Sequence, residues 1–132
     1  MTYPLVTSGY AAVLALIFLA LSAWVLAGRV AFNIYYGDGG NERLIRRIRA
    51  HANFAEFVPL ILILSALLEA RATSRWTIHA LLLPLVIARV LHPFGMLARL
   101  DSWQQLPFRG LTTMATWIVM TAAAVLLLAD LL

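Results

Sequence analysis

Residues 49–59 read RAHANFAEFVP, and an uncharged apolar run over residues 60–68 follows them directly. On a helix, Arg49, Asn53 and Glu56 stand at positions i, i+4 and i+7 and therefore share one face. Arg46 extends this polar stripe by one turn towards the N-terminus. A charged group near the hydrocarbon of a bilayer costs about 2.5–3.5 kcal/mol on insertion scales. The stripe therefore needs a partner, a water-filled cavity or a ligand.

The composition is typical of a membrane protein. Of the 132 residues, 63% are hydrophobic and 12% are charged, whereas a soluble domain is roughly half apolar and about one quarter charged. All ten basic residues are arginines, and most flank or enter apolar runs. The net charge of +4 therefore favours anionic lipid headgroups or an anionic ligand as partners and does not indicate nucleic acid. The absence of cysteine excludes disulfides, thiolate metal sites and cysteine nucleophiles.

Apolar segments long enough to cross a bilayer predict an all-α membrane protein, a bundle of four transmembrane helices. We expect one domain over residues 1–132, with spans at approximately residues 5–31, 42–69, 76–98 and 108–130. The glycine-rich segment over residues 37–41 predicts the first loop, and Asn41 is a suitable cap for the second helix.

The distribution of arginine predicts the orientation of the bundle. An even number of spans places both termini on one side, and the second loop carries only Arg71 and Arg75. The more basic first and third loops should therefore face the cytoplasm, with both termini on the non-cytoplasmic side. In that orientation one group of polar residues collects at the cytoplasmic helix ends: Arg49, Asn53, Glu56, Arg89, His92 and Arg109.

These residue types suit a zwitterionic peptide as ligand. Arginine offers a fork to a carboxylate, asparagine donates and accepts hydrogen bonds, and glutamate can receive an ammonium group. No second histidine or carboxylate has metal-ligand spacing, so we predict no metal site. These residues also have a structural interpretation. The residues of the stripe could pair with each other and with neighbouring helices, and Arg89 could extend to the membrane interface or neutralise Glu56. His92 could pack between helices, and Arg109 could anchor the cytoplasmic surface. Thr112, Thr113 and Thr116 are interpreted as small helix-packing residues.

The motifs resemble those of the membrane-associated proteins in eicosanoid and glutathione metabolism, the MAPEG family, over nearly the whole chain. Residues 49–59 resemble the family signature Arg-Ala-x-x-Asn-x-x-Glu-x-x-Pro. Residues 88–92, ARVLH, resemble the third-helix motif of the microsomal prostaglandin E synthase branch. Residues 107–109, PFR, resemble the start of the fourth helix, where that branch carries an arginine that stabilises a thiolate. The loop over residues 37–42 is similar to that of bacterial members.

The resemblance implies a homotrimer in the bacterial inner membrane, with glutathione held between neighbouring subunits near the cytoplasmic surface. It implies a glutathione transferase or peroxidase acting on hydrophobic electrophiles that enter from membrane lipid. Arg109 would be the catalytic residue, because it would stabilise the glutathione thiolate. The implied glutathione ligands are Arg29, Arg49, Asn53, Glu56, Arg89 and His92.

The chain departs from the family pattern at three positions. Phe57 and Met96 stand where relatives carry tyrosines, and Gly110 stands where the prostaglandin branch has serine. Each lost tyrosine hydroxyl would remove a hydrogen bond worth roughly 0.5–1.5 kcal/mol. One alternative is therefore a non-catalytic protein that keeps the fold for binding or assembly. Another is a small proton-coupled transporter that uses Glu56, although Arg49 on the same face argues against cation binding.

Overall fold

The computed structural model describes residues 3–99 and 102–129. These residues form α1 (Leu5–Phe32), α2 (Glu42–Ala70), α3 (Arg75–Leu97) and α4 (Thr112–Ala129), and a π-helical segment, the π turn (Leu106–Leu111), leads into α4. With the π turn counted in the last of them, four helices are long and apolar enough to cross a membrane. The described residues contain no strand, so the prediction of an all-helical, four-span protein is confirmed. Residue 130, the expected end of the fourth span, lies outside the described residues.

The connection between α1 and α2 is built from residues suited to tight turns. Helix α1 is followed by Asn33, whose left-handed backbone, with φ of 56°, terminates the helix. Gly39 also has positive φ, 59°, a backbone conformation that residues with a side chain rarely adopt, and a Cβ there would in addition displace the Ile34 side chain. The predicted cap is confirmed: Asn41 Oδ1 accepts a hydrogen bond of 3.1 Å from the backbone N–H of Leu44.

Helix α1 packs through a narrow seam. Its buried residues recur every seven positions: Thr7, Leu14, Leu21 and Gly28. This heptad spacing is typical of helices that cross at a small angle. Near the end of the seam, Gly28 leaves room for the Arg47 side chain of α2, because a Cβ there would lie 2.9 Å from Arg47 Nη1. Most of the remaining surface of α1 is apolar and exposed, as expected of a helix that faces lipid or another subunit.

Helices α2 and α3 form the centre of the bundle. Each packs against α1 and α4, whereas no contact between α1 and α4 is seen among the described residues. The core side chains include Phe54, Ile61, Leu82, Leu85 and Val119, all nearly inaccessible to solvent. This arrangement holds the ends of α2, α3 and α4 together, where most of the predicted site residues lie.

A buried carboxylate joins the start of α1 to the end of α2. Glu69 Oε1 accepts a hydrogen bond of 2.8 Å from the backbone N–H of Val6, and Oε2 accepts from the N–H and hydroxyl of Thr7 at 2.8 and 2.7 Å. We call these contacts the Glu69 clasp. The carboxylate satisfies N–H groups of the first helical turn, which lack partners within the helix, and it lies at the positive end of the helix dipole. The clasp therefore fixes α1 against α2.

Candidate functional site

A buried arginine joins three helices near the end of the bundle that carries the α1–α2 and α3–α4 connections, which we call the basic end. Arg89 on α3 is only 1% exposed. Its Nη1 donates a hydrogen bond of 2.6 Å to Asn53 Oδ1 on α2. Its Nη2 donates to the hydroxyl of Thr116 on α4 and, at 3.5 Å, to the carbonyl of Thr112. We call these four residues, together with His92, the Arg89 network.

The charge of Arg89 has neutral partners. Within the described part of the chain its hydrogen bonds go to an amide, a hydroxyl and a carbonyl, and its Nε has no hydrogen-bond partner. A buried guanidinium is costly to hold without a counter-charge, so each of these bonds matters for stability. The network therefore gives the basic end an uncompensated positive charge, which favours a nearby anion.

His92 is attached to the same network through Thr112. Its Nδ1 lies 3.1 Å from the Thr112 hydroxyl oxygen. That hydroxyl has a single hydrogen, which it donates towards the carbonyls of Phe108 and Arg109 at 2.8 and 3.1 Å. The hydroxyl must therefore accept from His92, so we assign the hydrogen of the neutral imidazole to Nδ1. Nε2 is then left as a hydrogen-bond acceptor.

A half-exposed ion pair lies on α2 beside the network. Arg49 Nη1 is 3.7 Å from Glu56 Oε1, and the two side chains are 57% and 48% exposed. The pair shows that both residues lie on one face of α2, as their spacing predicts. Because the pair is half exposed and its closest atoms are 3.7 Å apart, its two ends are held together only weakly. Both groups are therefore accessible to a ligand, unlike Arg89.

The two remaining arginines of the predicted site, Arg109 and Arg29, lie in different local environments. Arg109 belongs to the π turn and is exposed, and its Nη1 lies 3.5 Å from Gln105 Oε1. Its backbone carbonyl accepts from the hydroxyls of Thr112 and Thr113, which attaches it to the start of α4. Arg29 Nη1 donates to the carbonyl of Gly37 at 2.7 Å and so braces the first loop. Among the described contacts, none joins Arg29 to the other predicted site residues.

Thr112 and Thr116 take part in the site although the sequence indicated only helix packing for them. They stand one helical turn apart in a helix that is otherwise mostly apolar, and both accept hydrogen bonds from Arg89 or His92. Their i, i+4 spacing could have pointed to a shared polar face. No three His, Asp or Glu side chains gather at metal-binding distance within residues 3–99 and 102–129.

An apolar groove extends to the Arg89 network. It lies between α1 and α3, has a volume of about 370 Å³, and is lined by Arg89 together with apolar residues that include Leu21, Trp24 and Phe94. Such a groove favours a hydrophobic molecule, with its polar end towards the cationic network. The site thus combines polar groups for a charged ligand with an apolar surface at its side.

Replacing Thr116 with valine should destabilise the protein by about 1–3 kcal/mol, because one N–H of the buried Arg89 loses its acceptor. Valine keeps the shape of threonine, so the change removes little except the hydroxyl. Thr113→Val is the matched control, because the Thr113 hydroxyl donates only to the carbonyl of Arg109 one turn earlier. Unfolding of the detergent-solubilised variants by a denaturing detergent measures the difference. Equal unfolding midpoints for the two variants would show that the bond to Thr116 contributes nothing.

Comparison with known proteins identifies the family. A family model described as the MAPEG family matches residues 7–129. The inner membrane protein YecN of Escherichia coli strain K12 is 31% identical over 113 residues, which cover 86% of this chain and 82% of that protein. YecN of Escherichia coli O6:H1 strain CFT073 matches with the same identity and coverage. No solved structure gives a significant match. With the family signature on α2 and four helices able to span a membrane, the chain belongs to the MAPEG family.

Proposed function

We propose that this protein binds glutathione at the basic end and uses it, as a transferase or peroxidase, against hydrophobic electrophiles. Support comes from the family, which includes glutathione-dependent enzymes, and from one observation in the structure. An accessible pair of opposite charges, Arg49 and Glu56, lies on the same helix as Asn53, which is bonded to the buried Arg89. A small zwitterion with carboxylates and an ammonium group matches this combination.

The polar groups of α2 fit the two kinds of charge on glutathione. When the ion pair opens, Arg49 can bind a carboxylate and Glu56 can accept from the ammonium group. Opening costs little, because an exposed ion pair contributes only about 0–1 kcal/mol. Asn53 Oδ1 is occupied by Arg89, so its Nδ2 group remains as a donor to a peptide carbonyl of the ligand.

Arg109 would supply the chemistry. Its guanidinium is exposed, and a cation beside a thiol lowers the pKa of that thiol and stabilises the thiolate. In a transferase reaction the thiolate sulfur forms a bond to an electrophilic carbon, and a leaving group departs with its electron pair. The groove between α1 and α3 would admit the electrophile from the hydrocarbon of the bilayer.

We further propose a homotrimer in the bacterial inner membrane, with the basic end towards the cytoplasm. The relatives named above are inner membrane proteins, and the positive-inside rule gives this orientation. The exposed apolar side chains of α1, among them Leu16 at 69% and Leu19 at 65%, are suited to lipid or to a neighbouring subunit. Glutathione would then be held between subunits.

A second candidate is a non-catalytic member of the family that binds a ligand or assists assembly. Phe57 and Met96 lack the hydroxyls expected at these positions, and the Asn53–Arg89 bond also serves to hold α2 against α3. The transporter alternative gains no support, because Arg49 pairs with Glu56 on the same face and disfavours a cation that brings no anionic group for Arg49. Glutathione binding without turnover would favour the non-catalytic candidate.

Calorimetric titration of the detergent-solubilised protein with glutathione tests the proposal. Arg49→Ala should weaken binding by roughly tenfold, since a bond to a charged group is worth about 1.5 kcal/mol or more. Arg43→Ala is the matched control, because Arg43 is an exposed arginine on the same helix. If the wild-type protein releases no heat with glutathione, the proposed function is wrong. If Arg43→Ala and Arg49→Ala weaken binding equally, the ion pair on α2 is not the binding site.

A further inference from the structure

The π turn lies directly against the end of α3 at a glycine. A Cβ on Gly95 would lie 2.5 Å from the carbonyl carbon of Phe108 and 2.6 Å from the backbone nitrogen of Arg109. Both atoms belong to the backbone, so they cannot turn aside as the end of a flexible side chain can. Glycine at position 95 therefore allows α3 to lie in direct contact with the backbone that carries Arg109. Any side chain at position 95 would push the π turn away from α3.

Gln105 uses both halves of its amide at this contact. Its Nε2 group is within hydrogen-bond distance of three carbonyls at the end of α3: those of Gly95, Ala98 and Arg99, at 3.3, 3.0 and 3.3 Å. The Gly95 carbonyl belongs to the last turn of α3, whose carbonyls lack partners within the helix, so the amide acts as a cap there. The carbonyls of Ala98 and Arg99 also accept from Arg46 Nη1 and from the backbone N–H of Ser102. Its Oε1 accepts from Arg109 Nη1 at 3.5 Å. One side chain thus connects the last turn of α3 to the guanidinium of Arg109.

We propose that Gln105 is the positioning residue for Arg109, holding its guanidinium beside the end of α3, where it meets the ligand sulfur. The part that Arg109 plays here rests on the proposed function. An exposed arginine otherwise samples many rotamers. A cation that stabilises a thiolate is more effective when it is held in place before the anion forms. The carbonyl end of α3 also carries partial negative charge, which favours a cation at this place.

The two roles of position 105 together favour an amide. A glutamate would keep the acceptor for Arg109 but would remove the donor to the carbonyl of Gly95, whereas the carbonyls of Ala98 and Arg99 would still accept from Arg46 Nη1 and from the backbone N–H of Ser102. A lysine would keep a donor but would repel Arg109. Gln104, the preceding residue, is exposed, and its backbone N–H donates a hydrogen bond to the hydroxyl oxygen of Ser102. It therefore offers a matched control at the adjacent position.

The first measurement is hydrogen–deuterium exchange of the π turn in the ligand-free protein. Methionine is close to glutamine in length and lacks both polar groups, so we compare Gln105→Met with Gln104→Met. Exchange over Leu106–Leu111 should become about tenfold faster in Gln105→Met and stay unchanged in Gln104→Met, because only the first loses bonds to α3. Equal exchange in the two variants would overturn the proposal. Should Gln105→Met lose helical content, Gln105→Ala replaces it.

The second measurement is the ultraviolet absorbance of glutathione thiolate as a function of pH, at saturating glutathione. In Gln105→Met the pH at half ionisation should rise by about one unit, which reports a tenfold weaker stabilisation of the thiolate. A variant whose exchange rises while this pH stays at the wild-type value would overturn the positioning role, since Gln105 would then only brace the turn. A wild-type protein without any thiolate signal would instead remove the proposed function. The exchange measurement would still decide whether Gln105 fixes the segment that carries Arg109.

Discussion

Replacing Arg109 with alanine should lower the turnover of a hydrophobic electrophile by roughly 10²–10³-fold, the usual effect of removing one preorganised group that stabilises a developing anion. Glutathione should still bind, because its proposed ligands Arg49, Asn53 and Glu56 lie on α2. The thiolate absorbance of bound glutathione should disappear at neutral pH, since a thiol without a cationic neighbour ionises only near pH ~8.5. Conjugation rates and absorbance of the same samples check both expectations.

Arg99→Ala is the control for this experiment. Arg99 is also an exposed arginine at the basic end, so its loss changes the net charge equally. Arg109→Lys should restore part of the thiolate signal, because lysine provides a charge but not the planar fork of arginine. If Arg109→Ala retains its turnover, the thiolate is stabilised elsewhere, and the buried Arg89 becomes the arginine to test next.

Replacing Glu69 with alanine should destabilise the protein by about 3 kcal/mol or more, because three hydrogen bonds to a charged acceptor are lost together. Two of the donors are backbone N–H groups in the first turn of α1, and they would be left without this acceptor. The midpoint of unfolding in a denaturing detergent measures the effect. Catalytic activity in the folded fraction should be unchanged, since Glu69 lies at the other end of the bundle from Arg109.

Glu42→Ala is the matched control for the Glu69 clasp. The Glu42 side chain is 84% exposed and pairs with Arg46 at 3.7 Å, so its loss should cost only about 0–1 kcal/mol. Glu69→Gln keeps an acceptor but removes the charge, and we expect it to fall between the two. Equal midpoints for Glu42→Ala and Glu69→Ala would show that α1 is held by its buried seam alone.

The features that follow from local chemistry could be predicted from the sequence. The four spans follow from apolar length, because a bilayer admits a helix only when about 20 residues are sufficiently apolar. The start of α2 follows from Asn41, whose side chain caps a helix wherever the helix lies in the bundle. The common face of Arg49 and Glu56 follows from helical periodicity alone.

The features that depend on how helices are rotated against each other could not be predicted. Thr113 and Thr116 look equivalent in the sequence, yet only Thr116 faces Arg89. Spacing indicates which residues share a face but not which neighbouring helix that face meets. The π turn and the contacts of Gln105 depend on the close approach of α3 at Gly95, which no local sequence pattern indicates.

The Glu69 clasp also bears on the order in which the helices assemble during synthesis. Thr7 lies 62 residues before the carboxylate that binds it, so α1 is synthesised and enters the bilayer while its first turn is still open. The turn closes only when the far end of α2 has been made. All the residues of the clasp are present before α3 and α4 have been made, so the hairpin of α1 and α2 can close without them.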